Sequence, residues 1–190
     1  MSKIGVLSLQ GAYRLHAEVL DALGAEPVEV RSPASLAAVD GLVIPGGEST
    51  TMSFLLDSSG LREPLTAALG AGLPALGTCA GMILLATEVL DGRPDQVSLG
   101  VVDITVRRNA FGRQRESFEA ALDIDGLDGG PFPAVFIRAP FVERVGPGVT
   151  VEATVDSHPV LCRSGAVTVC SFHPELSNDL RLHQRFLEDM

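Results

Sequence analysis

The chain has 190 residues, a length typical of one compact domain with a single core. Its hydrophobic content of 46% is high and favours a sheet that helices bury on both faces. The formal net charge of -10 disfavours a nucleic-acid backbone or an anionic membrane as the main partner.

The first half of the chain alternates short apolar runs with segments of helical spacing. The apolar runs predict strands at residues 4–9, 27–30, 41–44 and 75–77. The helical spacing predicts helices at residues 12–23, 51–56, 61–69 and 80–89, and Gly24 is expected to stop the first of them. Strand–helix alternation of this kind predicts a parallel sheet with helices on both faces.

The second half has more strands and more turns. Strands are predicted at residues 101–106, 118–124, 135–137, 149–155, 160–162 and 167–171, and a final helix at residues 178–188. The predicted fold is therefore α/β, with three layers, a mostly parallel central sheet, helices on both faces and an added antiparallel portion. Without an internal repeat or a long linker, residues 1–190 are expected to form one domain.

Cysteine usage and the N-terminus bear on the compartment. Three cysteines in a chain of this size favour reduced thiols in the cytoplasm. The apolar run at residues 4–9 is too short for a signal peptide, and no stretch reaches the ~18 apolar residues of a membrane span. A cytoplasmic protein without a membrane is expected.

The strongest chemical signal is Gly-Thr-Cys-Ala-Gly at residues 77–81. A buried strand enters this segment and a helix follows it directly, which is the thiol version of the Gly-x-Ser-x-Gly nucleophile elbow. The helix N-terminus favours a thiolate at Cys79, and the Ala80 N–H is positioned to donate to an oxyanion. On this segment alone, a small buried cysteine remains an alternative. Cys162 and Cys170 lie in apolar strands and are expected in the core.

A second polar motif, Ser-Phe-His-Pro-Glu at residues 171–175, follows the last predicted strand. In extended chain His173 and Glu175 would project to the same side, so the carboxylate could orient the imidazole towards a sulfur. In isolation the motif could equally be a polar turn; with the cysteine elbow, the catalytic interpretation takes over. Surface or packing roles are expected for the other histidines, which are His16, His158 and His183.

A third motif, Pro-Gly-Gly-Glu-Ser-Thr-Thr at residues 45–51, ends the third predicted strand. It could be only a loop in which Ser49 or Thr50 caps the next helix. A functional interpretation makes the Gly47 N–H a second oxyanion donor and brings Glu48 near an ammonium group of the substrate.

In combination, these three motifs resemble the class I, or triad, glutamine amidotransferases. More narrowly, the chain resembles the glutaminase subunits of pyridoxal 5'-phosphate synthase. That narrower resemblance extends over nearly the whole chain, and it includes Gly-Val-Leu-Ser-Leu-Gln-Gly at residues 5–11, Arg-Asn-Ala-Phe-Gly-Arg-Gln at 108–114, and Phe-Ile-Arg-Ala-Pro at 136–140.

The resemblance implies a role for each matching residue. Cys79 would be the nucleophile, His173 the general base and then acid, and Glu175 the orienting carboxylate. Gly47 and Ala80 would donate to the oxyanion, and Gln10 would lie where the synthase partner docks. Glutamine contacts are implied for Gly47, Glu48, Ser49, Arg108, Ile137 and Arg138. An arginine fork suits the α-carboxylate of glutamine, but spacing leaves Arg107, Arg108 and Arg138 all open.

The resemblance thus implies a glutaminase that hydrolyses L-glutamine through a γ-glutamyl thioester and passes ammonia to a synthase (lyase) subunit in a heteromeric complex. It implies no cofactor and no metal. Three alternatives remain open: a glutaminase for another synthase, a cysteine hydrolase acting on peptides or γ-glutamyl chains without a partner, and a non-catalytic module. Segments 108–114 and 136–140 argue against the first, and the intact triad argues against the last.

Overall fold

The computed structural model describes residues 1–108 and 117–190. Its strands in chain order are β1 (Lys3–Leu7), β2 (Glu26–Val30), β3 (Gly41–Ile44), β4 (Ala75–Thr78), β5 (Ala86–Leu90), β6 (Val102–Arg107), β7 (Ser117–Leu122), β8 (Phe132–Ile137), β9 (Phe141–Val145), β10 (Thr150–Val155), β11 (His158–Ser164) and β12 (Val167–Cys170). Its helices are α1 (Tyr13–Ala22), α2 (Pro33–Leu36), α3 (Ser49–Ser58), α4 (Arg62–Gly70), α5 (Ala80–Leu85) and α6 (Arg181–Glu188), with a 3-10 turn at Pro174–Leu176.

The described residues form a seven-stranded central sheet in the order β10-β11-β12-β4-β3-β1-β2. From β12 to β2 all neighbouring strands are parallel, whereas β10, β11 and β12 pair antiparallel at one edge. Two smaller sheets, β5-β6-β9 and β7-β8, complete the added portion. The predicted mostly parallel sheet with an antiparallel addition is confirmed.

Helices cover both faces of the central sheet, as the packing of β3 shows. Leu42 and Ile44 belong to a core that contains side chains of α3, α4 and α5. Val43, which points to the opposite face, packs in a core with Leu20 of α1 and Phe186 of α6. Because successive strand residues face opposite sides, these two cores are separate layers. The predicted three-layer α/β fold is confirmed.

The helix predicted at residues 80–89 is wrong in its second half. α5 ends at Leu85, and β5 begins at once and pairs in parallel with β6. The Leu84 and Leu85 carbonyl oxygens accept the N–H groups of Leu99 and Val101 at 2.6 Å and 2.9 Å. Since the backbone of residues 99–101 occupies these carbonyls, the helix ends here, and the β-branched Thr87 and Val89 then suit a strand.

Several smaller differences concern element ends and short elements. β1 ends at Leu7 instead of residue 9, and neither α2 nor β9 was predicted. α2 does carry a recognisable signal, because Ser32 and Ser35 form a reciprocal capping box. His158 lies in β11, and its ring stacks on the ring of Phe141. None of the helices in the described part of the chain is long and apolar enough to cross a bilayer.

Candidate active site

Cys79 joins β4 to α5 in a strained turn. Its φ of 49° and ψ of -103° lie in a region that residues with a Cβ rarely adopt, at a cost of about 1–3 kcal/mol. Gly81 makes the turn possible, because a Cβ there would lie 2.1 Å from the Ile44 carbonyl oxygen. The Cys79 N–H donates to the Cys170 carbonyl oxygen at 2.8 Å. The predicted elbow is therefore present, with the sulfur at the N-terminus of α5.

His173 reaches the same edge of the sheet from the neighbouring strand. Thr78 and Cys170 are register partners in the parallel pair β4–β12, so the residues that follow both strands leave the sheet side by side. The His173 N–H donates to the Val135 carbonyl oxygen at 2.8 Å, which fixes the backbone against β8. Both residues thus lie at the carboxyl ends of parallel strands, where open α/β folds bind ligands.

Glu175 reaches His173 by a route that differs from the predicted extended chain. Pro174 begins a 3-10 turn, and this turn brings the Glu175 Oε1 atom to 2.8 Å from His173 Nδ1. Glu175 is buried, with 6% of the residue exposed. The pair is therefore held by a tight turn instead of the alternation of a strand, although the contact itself is the one expected.

Electrostatics favour a charged His173. Burial lowers the pKa of His173, but hydrogen bonds with Cys79 and Glu175 outweigh it and raise the pKa to about 10. Burial likewise opposes ionisation of Glu175, and the hydrogen bond from His173 together with the nearby His16 and His173 rings lowers its pKa overall. An imidazolium at His173, held against the Glu175 carboxylate, is therefore favoured at neutral pH.

Gly46 allows the sulfur and the imidazole to approach each other. A Cβ at this position would lie 2.4 Å from His173 Cε1 and 3.3 Å from Cys79 Cβ. The Gly46 carbonyl oxygen accepts the Ala12 N–H at 3.0 Å, so the N–H of Gly47, on the other side of the same peptide plane, points away from Ala12. A cavity of about 350 Å³ opens in front of these groups, which is within the range of small-ligand sites.

Most of the predicted site residues line this cavity: Gln10, Gly47, Glu48, Ser49, Cys79, Arg108, Ile137, Arg138 and His173. Ala80, the residue after Cys79, begins α5 and is buried. Glu175 lies behind His173. Residues 109–114, part of the segment that carried the family resemblance, lie outside the described residues.

Glu48 caps α3, so the predicted cap at Ser49 or Thr50 is wrong. Its carboxylate accepts the Thr50 N–H at 3.1 Å and the Thr51 N–H at 2.7 Å. Burial opposes ionisation of Glu48, but the hydrogen bonds from Thr51 and Thr50 lower its pKa to about 2. The longer Glu side chain reaches the free N–H groups from a cavity-lining position, whereas Ser49 and Thr50 are already inside the helix.

The structure separates the three candidate arginines. Arg107 points to the surface and pairs with Asp91 at 2.6 Å and with Glu143. Arg108 lies on the cavity wall, where Nη2 is 3.3 Å from Glu48 Oε1. Arg138 also lines the cavity, with a positive φ of 42°. Arg108 and Arg138 therefore remain candidates for binding the substrate carboxylate, whereas Arg107 does not line the cavity.

Two histidines that sequence reasoning assigned to surface or packing roles lie directly behind Glu175. His16 of α1 and His183 of α6 are each 0% exposed. His16 Nε2 is 3.3 Å from Glu175 Oε2, and His16 Nδ1 is 2.9 Å from His183 Nε2. No motif could have revealed this contact, because the two histidines are 167 positions apart. A surface role is excluded for both.

The described residues hold no group of three or more His, Cys, Asp or Glu side chains that could bind a metal ion. The arrangement is instead suited to nucleophilic catalysis by a thiolate, with an imidazolium beside it and a carboxylate behind the imidazolium.

Fold and site together define an enzyme of the glutamine amidotransferase class. A crystal structure of a glutamine amidotransferase superimposes with a TM-score of 0.92 at 49% identity, covering 98% of this chain and 97% of that one. The model of the SNO glutamine amidotransferase family matches residues 6–190, and the chain belongs to this family.

Curated relatives carry a more specific name. The pyridoxal 5'-phosphate synthase subunit PdxT of Frankia alni is 58% identical over 186 residues, covering 98% of this chain and 94% of that protein. The subunit of the same name from Nocardia farcinica is 59% identical over 190 residues, covering 97% of this chain and 84% of that protein. The predicted resemblance to this family is confirmed.

Proposed function

We propose that this chain is the glutaminase subunit of a pyridoxal 5'-phosphate synthase. It hydrolyses L-glutamine to L-glutamate and ammonia and delivers the ammonia to the synthase subunit of a heteromeric complex. It acts as one domain, residues 1–190, in the cytoplasm. The observation that carries the catalytic part is the line of Cys79, His173 and Glu175 at the cavity, and relatives named PdxT at 58–59% identity support the pathway.

The first half of the reaction forms a thioester. The Cys79 thiolate attacks the side-chain carbonyl carbon of glutamine, and the N–H groups of Gly47 and Ala80 hold the oxyanion. The His173 imidazolium gives its proton to the amide nitrogen, the C–N bond breaks, and ammonia leaves. A pKa of about 10 for His173 supports this role, because the imidazolium is then present at neutral pH.

The second half regenerates the enzyme. Neutral His173 takes a proton from water, the hydroxide adds to the thioester carbonyl, and the intermediate expels the Cys79 thiolate with release of glutamate. The oxyanion donors act in both halves, and the loss of one such donor typically costs about 10²–10³ in rate. Glu175 stabilises each imidazolium that forms.

Substrate binding follows from the cavity wall. Arg108 and Arg138 are the fork-shaped donors available for the α-carboxylate of glutamine. Ser49 contributes a hydroxyl group that is buried without a hydrogen-bond partner among the described residues and that a ligand can satisfy. Glu48 lines the same wall and supplies the negative charge for the ammonium group, and Ile137 packs on the substrate stem.

Gln10 connects the cavity to the synthase partner. Its Oε1 atom accepts the Glu48 N–H at 2.8 Å and would be 2.3 Å from a Cβ at Gly47, so it lies against the loop that supplies an oxyanion donor. Docking of the synthase next to Gln10 can therefore change the position of the Gly47 N–H. Weak glutaminase activity alone and stimulation by the synthase follow from this coupling.

Labelling with a glutamine-mimicking diazo-ketone, followed by mass mapping, tests the nucleophile. One label per chain is expected on Cys79, and Cys79→Ser should abolish both labelling and glutaminase activity. Cys162→Ala is the matched control, because burial raises the pKa of Cys162 to about 12 and keeps that thiol protonated. Label on Cys162 or Cys170 would overturn the site.

The coupling has its own test. Glutamate release is measured for the chain alone and with the synthase subunit of a pyridoxal 5'-phosphate synthase. The proposal requires a higher rate in the complex and transfer of glutamine-derived nitrogen into pyridoxal phosphate. Equal rates with and without the synthase would refute the coupling, and stimulation only by a different synthase would refute the pathway.

A further inference from the structure

The catalytic side chains continue into a second pair of imidazoles inside the protein. Glu175 Oε1 contacts His173, whereas Glu175 Oε2 faces His16 Nε2 at 3.3 Å. His16 Nε2 is also 3.2 Å from Thr78 Oγ1, and its Nδ1 atom is 2.9 Å from His183 Nε2. Elements α1, β4 and α6 thus converge on the carboxylate from the side opposite to the substrate.

Burial keeps both inner histidines neutral. Desolvation lowers the pKa of His16, and a smaller effect of Glu175 opposes it. Desolvation, together with the neighbouring His16, lowers the pKa of His183 to about 3. Each ring therefore carries one N–H at neutral pH. The tautomer of His16 decides whether Glu175 faces an N–H or a nitrogen lone pair.

The unpartnered atoms select the tautomer. His183 Nδ1 is buried with no hydrogen-bond partner among the described residues, and leaving an N–H there would cost about 1–3 kcal/mol. The proton of His183 therefore sits on Nε2 and is donated to His16 Nδ1, so the proton of His16 sits on Nε2. In the opposite arrangement, a lone pair of His16 would face a carboxylate oxygen at 3.3 Å.

We propose that His16 is a positioning residue for the triad. The neutral Nε2–H of His16 faces the second oxygen of Glu175, keeps the Glu175 carboxylate ionised, and holds the first oxygen of that carboxylate on His173. His183 in turn fixes the tautomer of His16. This inference rests on the proposed glutaminase function. The Glu175 Oε2 atom has no hydrogen bond of good geometry within the described residues, and His16 Nε2 faces it at 3.3 Å.

The consequence concerns the charge of the catalytic pair. Without the His16 N–H, the buried Glu175 Oε2 would lose a favourable electrostatic contact, and the carboxylate would take up a proton at higher pH. A neutral Glu175 cannot stabilise the His173 imidazolium. As the pH falls, the thiolate–imidazolium pair would therefore disappear at a higher pH than in wild type. The titratable groups around Glu175 are His16 from α1, His183 from α6, Cys170 from β12, and Cys79 and His173 at the cavity.

Two variants at one position test the inference. His16→Leu removes the donor and fills the space, whereas His16→Gln restores an N–H near the position of Nε2. In complex with the synthase, His16→Leu should lower kcat by about 10–100-fold, the range seen for residues that orient metal ligands, with KM for glutamine unchanged. The acid limb of its kcat–pH profile should move to higher pH by about one unit. His16→Gln should recover most of kcat and the wild-type acid limb.

Alkylation of Cys79 by iodoacetamide gives the same comparison in the chain without its partner, since alkylation reports the thiolate. The acid limb of the alkylation rate should shift in His16→Leu and not in His16→Gln. Equal losses in both variants with an unchanged pH profile would reduce His16 to a packing residue and overturn the inference. If Cys79 is labelled as expected while His16→Leu keeps full activity, the inference fails and the proposed function stands.

The wild-type chain provides a measurement that needs no variant. Four histidines in the sequence make ¹⁵N-histidine NMR tractable, and the ¹⁵N shifts distinguish protonated from unprotonated ring nitrogens. The expected result at neutral pH is the Nε2–H tautomer for both His16 and His183. An Nδ1–H tautomer at His16 would place a lone pair towards Glu175 and overturn the inference even if His16→Leu fails to fold.

Discussion

Gly46→Ala should lower glutaminase activity by about 10²-fold while the fold survives. The new Cβ would lie 2.4 Å from His173 Cε1 and 3.0 Å from His173 Nδ1. Carbon atoms in contact prefer about 3.5–4.0 Å, so the imidazole must move by roughly 1 Å or more. A displacement of this size typically costs about 10²-fold in rate. The new Cβ would also lie 3.3 Å from Cys79 Cβ, which is a much less severe contact, so the strain falls mainly on His173.

The expected stability cost is that of local overpacking, about 1–3 kcal/mol. Gly70→Ala is the matched control, because a Cβ at the end of α4 meets no atom within 4 Å. This control should keep full activity and gain up to about 1 kcal/mol, since Ala restricts the unfolded chain. Activity is measured as glutamate release in the presence of the synthase, and stability by urea unfolding.

The result for Gly46→Ala that would refute the reasoning is a rate within threefold of wild type. The His173 imidazole would then tolerate a Cβ at residue 46, and the position assigned to His173 beside Gly46 would be wrong. The predicted outcome is a folded protein that is less stable by about 1–3 kcal/mol, retains its Cys79 thiol, and releases glutamate about 10²-fold more slowly.

Three further predictions follow from other contacts. Gly81→Ala should destabilise the chain by about 3 kcal/mol in urea unfolding, because the new Cβ would lie 2.1 Å from the Ile44 carbonyl oxygen. An unchanged urea midpoint would contradict the close approach of α5 and β3. His183 is held neutral with a pKa of about 3, so stability should fall by about 2 kcal/mol between pH 7 and pH 5, as the unfolded chain takes up a proton near pH 6.5. In His183→Leu, the decrease in the free energy of unfolding between pH 7 and pH 5 should be smaller by this amount. The same pH dependence of stability in the variant and in wild type would argue against a neutral, buried His183. Arg108→Gln should raise KM for glutamine about tenfold or more, whereas Arg107→Gln, on the surface, should leave KM unchanged; equal effects would refute the assignment.

Local patterns predicted the groups at the cavity mouth well. The Cys79 elbow and the His173–Glu175 motif each follow a buried strand, and parallel strands bring their carboxyl ends to one edge of a sheet. The sequence therefore determines where these residues emerge, even though Glu175 reaches His173 through a 3-10 turn instead of an extended chain.

What could not be predicted depends on contacts between distant segments. α5 ends at Leu85 because the backbone of residues 99–101 takes its carbonyl groups, and helix spacing continues past that point in the sequence. The cap of α3 by Glu48 depends on the bend of the loop before it. His16 and His183 lie on separate helices, so only the packing of α1 and α6 around Glu175 brings them together.

The hydrogen bond from the Cys79 N–H to the Cys170 carbonyl oxygen has a consequence for how this chain can change. Cys79 directly follows Thr78 and His173 lies three residues after Cys170, so the pairing of β4 with β12 brings the sulfur and the imidazole to one edge of the sheet. An extra residue inside Val167–Cys170 would shift the register of β12 against β4 and so displace the segment that carries His173. Insertions and deletions that preserve the catalytic arrangement are therefore expected in the turn between β11 and β12 and in more distant connections.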